Sequence, residues 1–119
     1  MAVEEIDVEE LAERIDAAGA VGTTVRLIDV REVDEYAEGH VPGAELVVLG
    51  TVPDNVERFR GDGPTYVICR SGARSMRAAQ FVDEHGIDGA INIAGGTLAW
   101  IRSGRPVIAG DEPGGVTPS

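Results

Sequence analysis

The feature that most constrains the fold is the succession Thr65-Tyr66-Val67-Ile68-Cys69-Arg70-Ser71-Gly72-Ala73-Arg74-Ser75, in which a short apolar run meets a tight turn and then a helix-forming stretch. Tyr66 to Ile68 is β-branched and aromatic and too short for a helix, so it reads as a buried strand that delivers Cys69 to its carboxyl end. Ser71-Gly72 supplies the turn, and Ala73 to Val82 is rich in helix formers. A strand, a tight loop and a helix in that order aim backbone N–H groups and the positive end of a helix dipole into the loop. What they would meet there is the sulfur of Cys69, with Arg70, Arg74 and Arg77 adding three positive charges. Together these lower the thiol pKa below its ordinary value of about 8.5 and make the nucleophilic thiolate available near neutral pH. A lone cysteine at a strand end is in most proteins an inert small hydrophobe. The glycine turn and the arginine cluster argue for a reactive one.

The rest of the chain repeats the strand-then-helix alternation. Asp7 stands three residues before Glu10, with Ile6 and Leu11 placed as a hydrophobic staple, so a helix is expected to start at Asp7 and to bury Val8, Leu11, Ala12 and Ile15. Its acidic opposite face is read as solvated surface. Thr24 to Val30 is the next expected strand, Glu32 to Ala37 a short helical turn, and Glu38 to Ala44 a loop. Glu45 to Leu49 reads as a strand and Pro53 to Arg60 as a weak helix with Pro53 in its first turn. The helix after the cysteine loop should bury Ala78, Phe81 and Val82 and stop near His85-Gly86. Ala90 to Ile93 is a further strand, Thr97 a candidate cap for a helix ending at Gly104, and Pro106 to Ile108 an extended return. Residues 110–119 lack apolar periodicity and are expected to form a disordered acidic tail after a single domain over 1–109. This alternation over short connections means an α/β fold with a mostly parallel sheet covered on both faces. Ligands in such sheets bind at the carboxyl ends of the strands, where Cys69 and Asp29 both fall.

Charge and cysteine content narrow the function. Ten basic residues against twenty-one acidic ones, a net charge of −11, argue against nucleic acid and anionic membranes as partners. All ten basic residues are arginine, which excludes lysine Schiff-base chemistry. The single cysteine permits no internal disulfide and no internal resolving thiol, in keeping with a reducing compartment. No apolar run is long enough to span a membrane, and Met1 to Glu5 is acidic where a signal peptide would be basic, so the expected location is the cytoplasm. No spacing of Cys, His and carboxylates suggests a metal and no glycine-rich phosphate motif a nucleotide, so no cofactor is expected.

Four blocks carry a resemblance. They are Leu27-Ile28-Asp29-Val30-Arg31 with Glu35-Tyr36, Gly39-His40-Val41-Pro42-Gly43-Ala44, the Cys69 to Ser75 loop, and Gly95-Gly96 with Ala99-Trp100. In order and spacing the chain resembles a single-domain rhodanese, a sulfurtransferase, over roughly residues 6 to 108. The resemblance implies a three-layer α/β/α domain in which Cys69 takes a sulfane sulfur from thiosulfate or a persulfide donor. The sulfur is held as a persulfide and passed to cyanide or to a thiol, including one on an acceptor protein. Arg70, Ser71, Gly72, Ala73, Arg74 and Ser75 would form the substrate-binding cradle, with Arg70 and Arg74 drawing in an anionic donor and Ser71 and Ser75 offering hydroxyl hydrogen bonds. Ser75 is alternatively a helix cap. Thiolate attack needs no base, so His40 reads as structural, as do Asp29 and Arg31. The same fold resembles the dual-specificity phosphatases of the cell cycle, which makes a phosphatase or arsenate reductase the rival enzyme. Those phosphatases place one residue more between cysteine and arginine than the four present here, Arg70 to Ala73. A shorter loop makes a narrower cradle, and no second cysteine remains to reduce an arsenate adduct. A third reading is a protein-specific persulfide carrier or sensing module with little turnover.

Overall fold

A computed structural model describes residues 3–114. Five strands, β1 (Glu4–Ile6), β2 (Arg26–Asp29), β3 (Glu45–Leu46), β4 (Thr65–Ile68) and β5 (Ala90–Ile93), form one sheet in the order β1-β5-β4-β2-β3. Every pairing is parallel. Four α-helices connect or follow them: α1 (Val8–Ala20), α2 (Val33–Glu38), α3 (Ala73–Glu84) and α4 (Gly96–Arg102).

The period of two along each strand divides the core into two layers. Leu27, Tyr66, Ile68, Ile91 and Ile93 pack with Val8 and Leu11 of α1, Tyr36 of α2 and Trp100 of α4. On the other face Ile28, Val67 and Cys69 pack with Ala78, Ala79 and Val82 of α3. The result is the three-layer α/β/α arrangement, with β4 central and Cys69 at its carboxyl end. Because both faces are covered, β4 is buried along its whole length, which is why its sequence reads as a continuous apolar run.

α1 starts as its sequence dictates, with the Asp7 side chain accepting the Glu10 N–H at 2.9 Å. α3 ends with His85 as its cap and Gly86 at φ +87, and His85 Nδ1 bonds the Phe81 carbonyl. Several expectations are corrected. Glu4–Ile6, whose acidic residues carry no strand signal, forms β1 because the open edge of β5 offers its backbone partners. The expected strand over Glu45 to Leu49 closes after Leu46, and Leu49–Asp54 and Val56–Phe59 are two 3-10 turns in place of one helix from Pro53. Phe81 is half-buried against the α3 layer. Thr97 is not a cap: Gly95 holds that position in the left-handed region. Residues 110–114 run beside the His40 loop, with Gly110 N–H donating to Ala37 and Gly43 N–H to Pro113. Positions 115–119 of the expected tail lie outside the described residues.

His40 is fully buried and stacked on Tyr36 at 3.7 Å between ring centroids. Its Nδ1 lies 2.9 Å from the Tyr36 carbonyl and its Nε2 2.9 Å from that of Glu112. Trp100 donates its indole N–H to the Pro106 carbonyl. No helix among the described residues is long and apolar enough to cross a membrane.

Candidate active site

Cys69 leaves β4 with its side chain on the α3 face, 1% exposed, at the floor of the loop that joins β4 to α3. The Gly72 N–H donates to its Sγ at 3.1 Å and the Ser75 hydroxyl at 3.3 Å. Burial pushes the thiol up. Against it work the Ser75 hydroxyl and the backbone N–H groups of Ser75, Gly72 and Ser71, and together they leave the thiol below its ordinary value. The hydrogen bonds therefore outweigh the loss of solvent, and the site stabilises a negative charge on sulfur.

The loop amides point inward because its carbonyls are held outward. Thr97 donates both its N–H and its hydroxyl to the Cys69 carbonyl, each at 2.9 Å, and the Leu98 N–H reaches the Arg70 carbonyl at 3.0 Å. In a planar trans peptide the N–H opposes the C=O, so fixing the Arg70 carbonyl on α4 turns the Ser71 N–H toward the sulfur. α4 approaches this closely only because residue 96 is glycine. A Cβ there would fall 2.6 Å from the carbonyl oxygens of both Cys69 and Arg70, and its φ of +60 disfavours other residues. Gly72 is the second special position, at φ +111 immediately before α3.

The six residues singled out from the sequence around Cys69 divide by side chain into sulfur contacts, an exposed wall and two arginines. Gly72 and Ser75 touch the sulfur directly, and Ser75, fully buried three residues into α3, acts on Cys69 in place of capping the helix. Ser71 and Ala73 form the exposed outer wall. Arg70 is exposed at the mouth and makes no ion pair among the described residues. Arg74 lies beside the loop, and both its terminal nitrogens are engaged by the Glu35 carboxylate at 2.8 and 2.9 Å. The hydrogen bonds from Arg74, ahead of the Glu32 N–H, hold the Glu35 carboxyl at about 2 despite partial burial. Glu35 thus stays charged wherever the thiolate forms and pairs with Arg74, which leaves Arg70 as the basic side chain of the loop without an ion-pair partner among the described residues. Asp29 and Arg31, read from the sequence as structural, form a buried ion pair at 2.8 Å, and Arg31 also donates to the Gly39 carbonyl.

Glu35, Thr97 and Asn92 are site-supporting residues to which the sequence assigns no such role. Glu35 leaves one local trace: with Glu32 it forms a capping box at the start of α2. Among the described residues no group of three metal-ligating side chains converges.

A family model described as the rhodanese-like domain matches residues 7–103. A putative sulfurtransferase of Bacillus subtilis, YtwF, is 38% identical over 106 residues, covering 89% of this chain and 98% of its own length. A sulfurtransferase of Allochromatium vinosum is 35% identical over 107 residues, covering 90% of this chain and 96% of its own length. Among solved structures, a rhodanese-like domain protein from Staphylococcus aureus superposes with a TM-score of 0.72 at 33% identity, covering 82% of this chain and 91% of that one.

Proposed function

The chain belongs to the rhodanese-like family, and on that premise we propose that it is a sulfurtransferase that works through a persulfide on Cys69. The observation that carries this reading is the convergence of the Ser75 hydroxyl and the loop amides on one sulfur atom. The Cys69 thiolate attacks the outer sulfur of thiosulfate, the S–S bond of the donor breaks, and sulfite leaves with the electron pair. The terminal sulfur of the resulting persulfide carries the negative charge, and the same donors that held the thiolate stabilise it. An acceptor, cyanide or a thiolate, then attacks that terminal sulfur. The Cys69 thiolate leaves, and thiocyanate or a new persulfide departs. No external oxidant or reductant enters, because the sulfane sulfur moves with its oxidation state. With one cysteine in the sequence, the sulfur passes to a second molecule, small or protein.

The kinetic consequence is a ping-pong cycle. Initial rates of thiocyanate formation, taken at several fixed cyanide concentrations while thiosulfate is varied, should give parallel double-reciprocal lines. Intersecting lines would mean that both substrates bind before transfer and would exclude a free persulfide enzyme.

A further inference from the structure

We propose that Asn92, braced by Glu5, is the positioning residue that locks the Gly72 turn over the sulfur of Cys69. The inference rests on the reading of Cys69 as the reactive thiol. Asn92 lies on β5 between Ile91 and Ile93, which enter the opposite core layer, and is itself fully buried. Its Nδ2 donates to Glu5 Oε2 at 2.7 Å and to the Gly72 carbonyl at 3.2 Å. Its Oδ1 has no hydrogen-bond partner among the described residues. A buried amide with an orphaned oxygen carries a desolvation penalty that an apolar residue would avoid. What the amide supplies is its two donors, both used, and one of them ends on the catalytic loop.

Sheet register makes the arrangement possible. Glu5 pairs with Asn92 and Asn92 with Val67, so the three side chains stand on the face that carries α3 and Cys69. Glycine has the widest conformational freedom of any residue, and at Gly72 (φ +111, ψ −12) two rotatable bonds separate the N–H that reaches the sulfur from the carbonyl, so the turn is held only where that carbonyl is also fixed. The Gly72 carbonyl also accepts the Met76 N–H at 3.2 Å, a bond from the same loop-helix segment. Asn92 anchors that carbonyl to the sheet, and Glu5 fixes the amide so that its N–H faces Gly72.

The test is the rate of Cys69 alkylation by iodoacetamide as a function of pH in the full chain, for the wild type, Asn92→Leu and Glu5→Ala. The wild-type midpoint should lie below that of an ordinary thiol. Asn92→Leu should move it upward by about one unit and slow alkylation about tenfold at pH values well below both midpoints, where the thiolate fraction changes tenfold per unit. Glu5→Ala should move it in the same direction by about two- to threefold in rate, since the amide then keeps its bond but loses its brace. A residue that only supports the fold would lower the melting temperature and leave the midpoint unchanged. An unchanged midpoint in either folded variant overturns the proposal; if Asn92→Leu does not fold, Glu5→Ala on the exposed edge strand decides alone. Alkylation needs no sulfur donor, so a negative result here leaves the sulfur-transfer reading standing, and a failure of sulfur transfer leaves this result standing.

Discussion

Cys69→Ser is expected to lower thiosulfate-to-cyanide transfer by at least about a thousandfold while leaving the fold intact, because removing a covalent nucleophile removes the intermediate itself. The replacement is nearly isosteric, and its oxygen meets the same donors, the Gly72 N–H and the Ser75 hydroxyl. Those donors lower the charge penalty on a sulfur whose pKa starts within reach of neutrality. A serine hydroxyl starts far above it, and the same contacts cannot bring it down. An unchanged far-UV circular dichroism spectrum alongside lost turnover would assign the effect to chemistry. Retained turnover would place the transfer outside Cys69.

Arg31→Met should be the most destabilising side-chain truncation near the site, at about 3–5 kcal/mol, the range for stripping one partner from a buried ion pair. Asp29 is fully buried and Arg31 is 5% exposed. The Asp29 carboxylate accepts the Arg31 backbone N–H and a bidentate contact from its guanidinium, all between 2.8 and 3.0 Å. Without the guanidinium the carboxylate keeps one backbone donor, and the Gly39 carbonyl loses its partner as well. The urea midpoint should fall strongly at an unchanged denaturant dependence. The double variant Asp29→Leu with Arg31→Met should recover part of the loss, since the penalty lies in the unpaired charge. A loss below about 1 kcal/mol, the value of an exposed pair, would mean that water reaches the site.

The part of the site legible in the sequence is the part built from near neighbours. Tyr66 to Ile68, the Ser71-Gly72 turn and the helix after it are adjacent in the chain, and the two nearest donors to Sγ lie three and six residues from Cys69. Of the two expected causes of the lowered thiol, loop N–H groups and arginine charge, the hydrogen bonds lead; Arg74 is paired with Glu35 across 39 residues. Nothing local announces such a pairing. Thr97 misleads for a related reason: threonine before a helix has the signature of a cap, but Gly95 takes that place and leaves the hydroxyl free to reach Cys69, 28 residues away. β1 is the clearest case. Glu4 and Glu5 have poor strand propensity, and only the finished edge of β5 makes them a strand. Its contribution to the site, through Glu5 and Asn92, spans 87 residues.

The proposed sulfur on Cys69 is read out by intact mass after incubation with thiosulfate. The wild-type chain should gain the mass of one sulfur atom, lose it on addition of cyanide, and show no gain as Cys69→Ser. A wild-type chain that turns over thiosulfate without ever carrying that mass, or a Cys69→Ser chain that acquires it, would contradict the account.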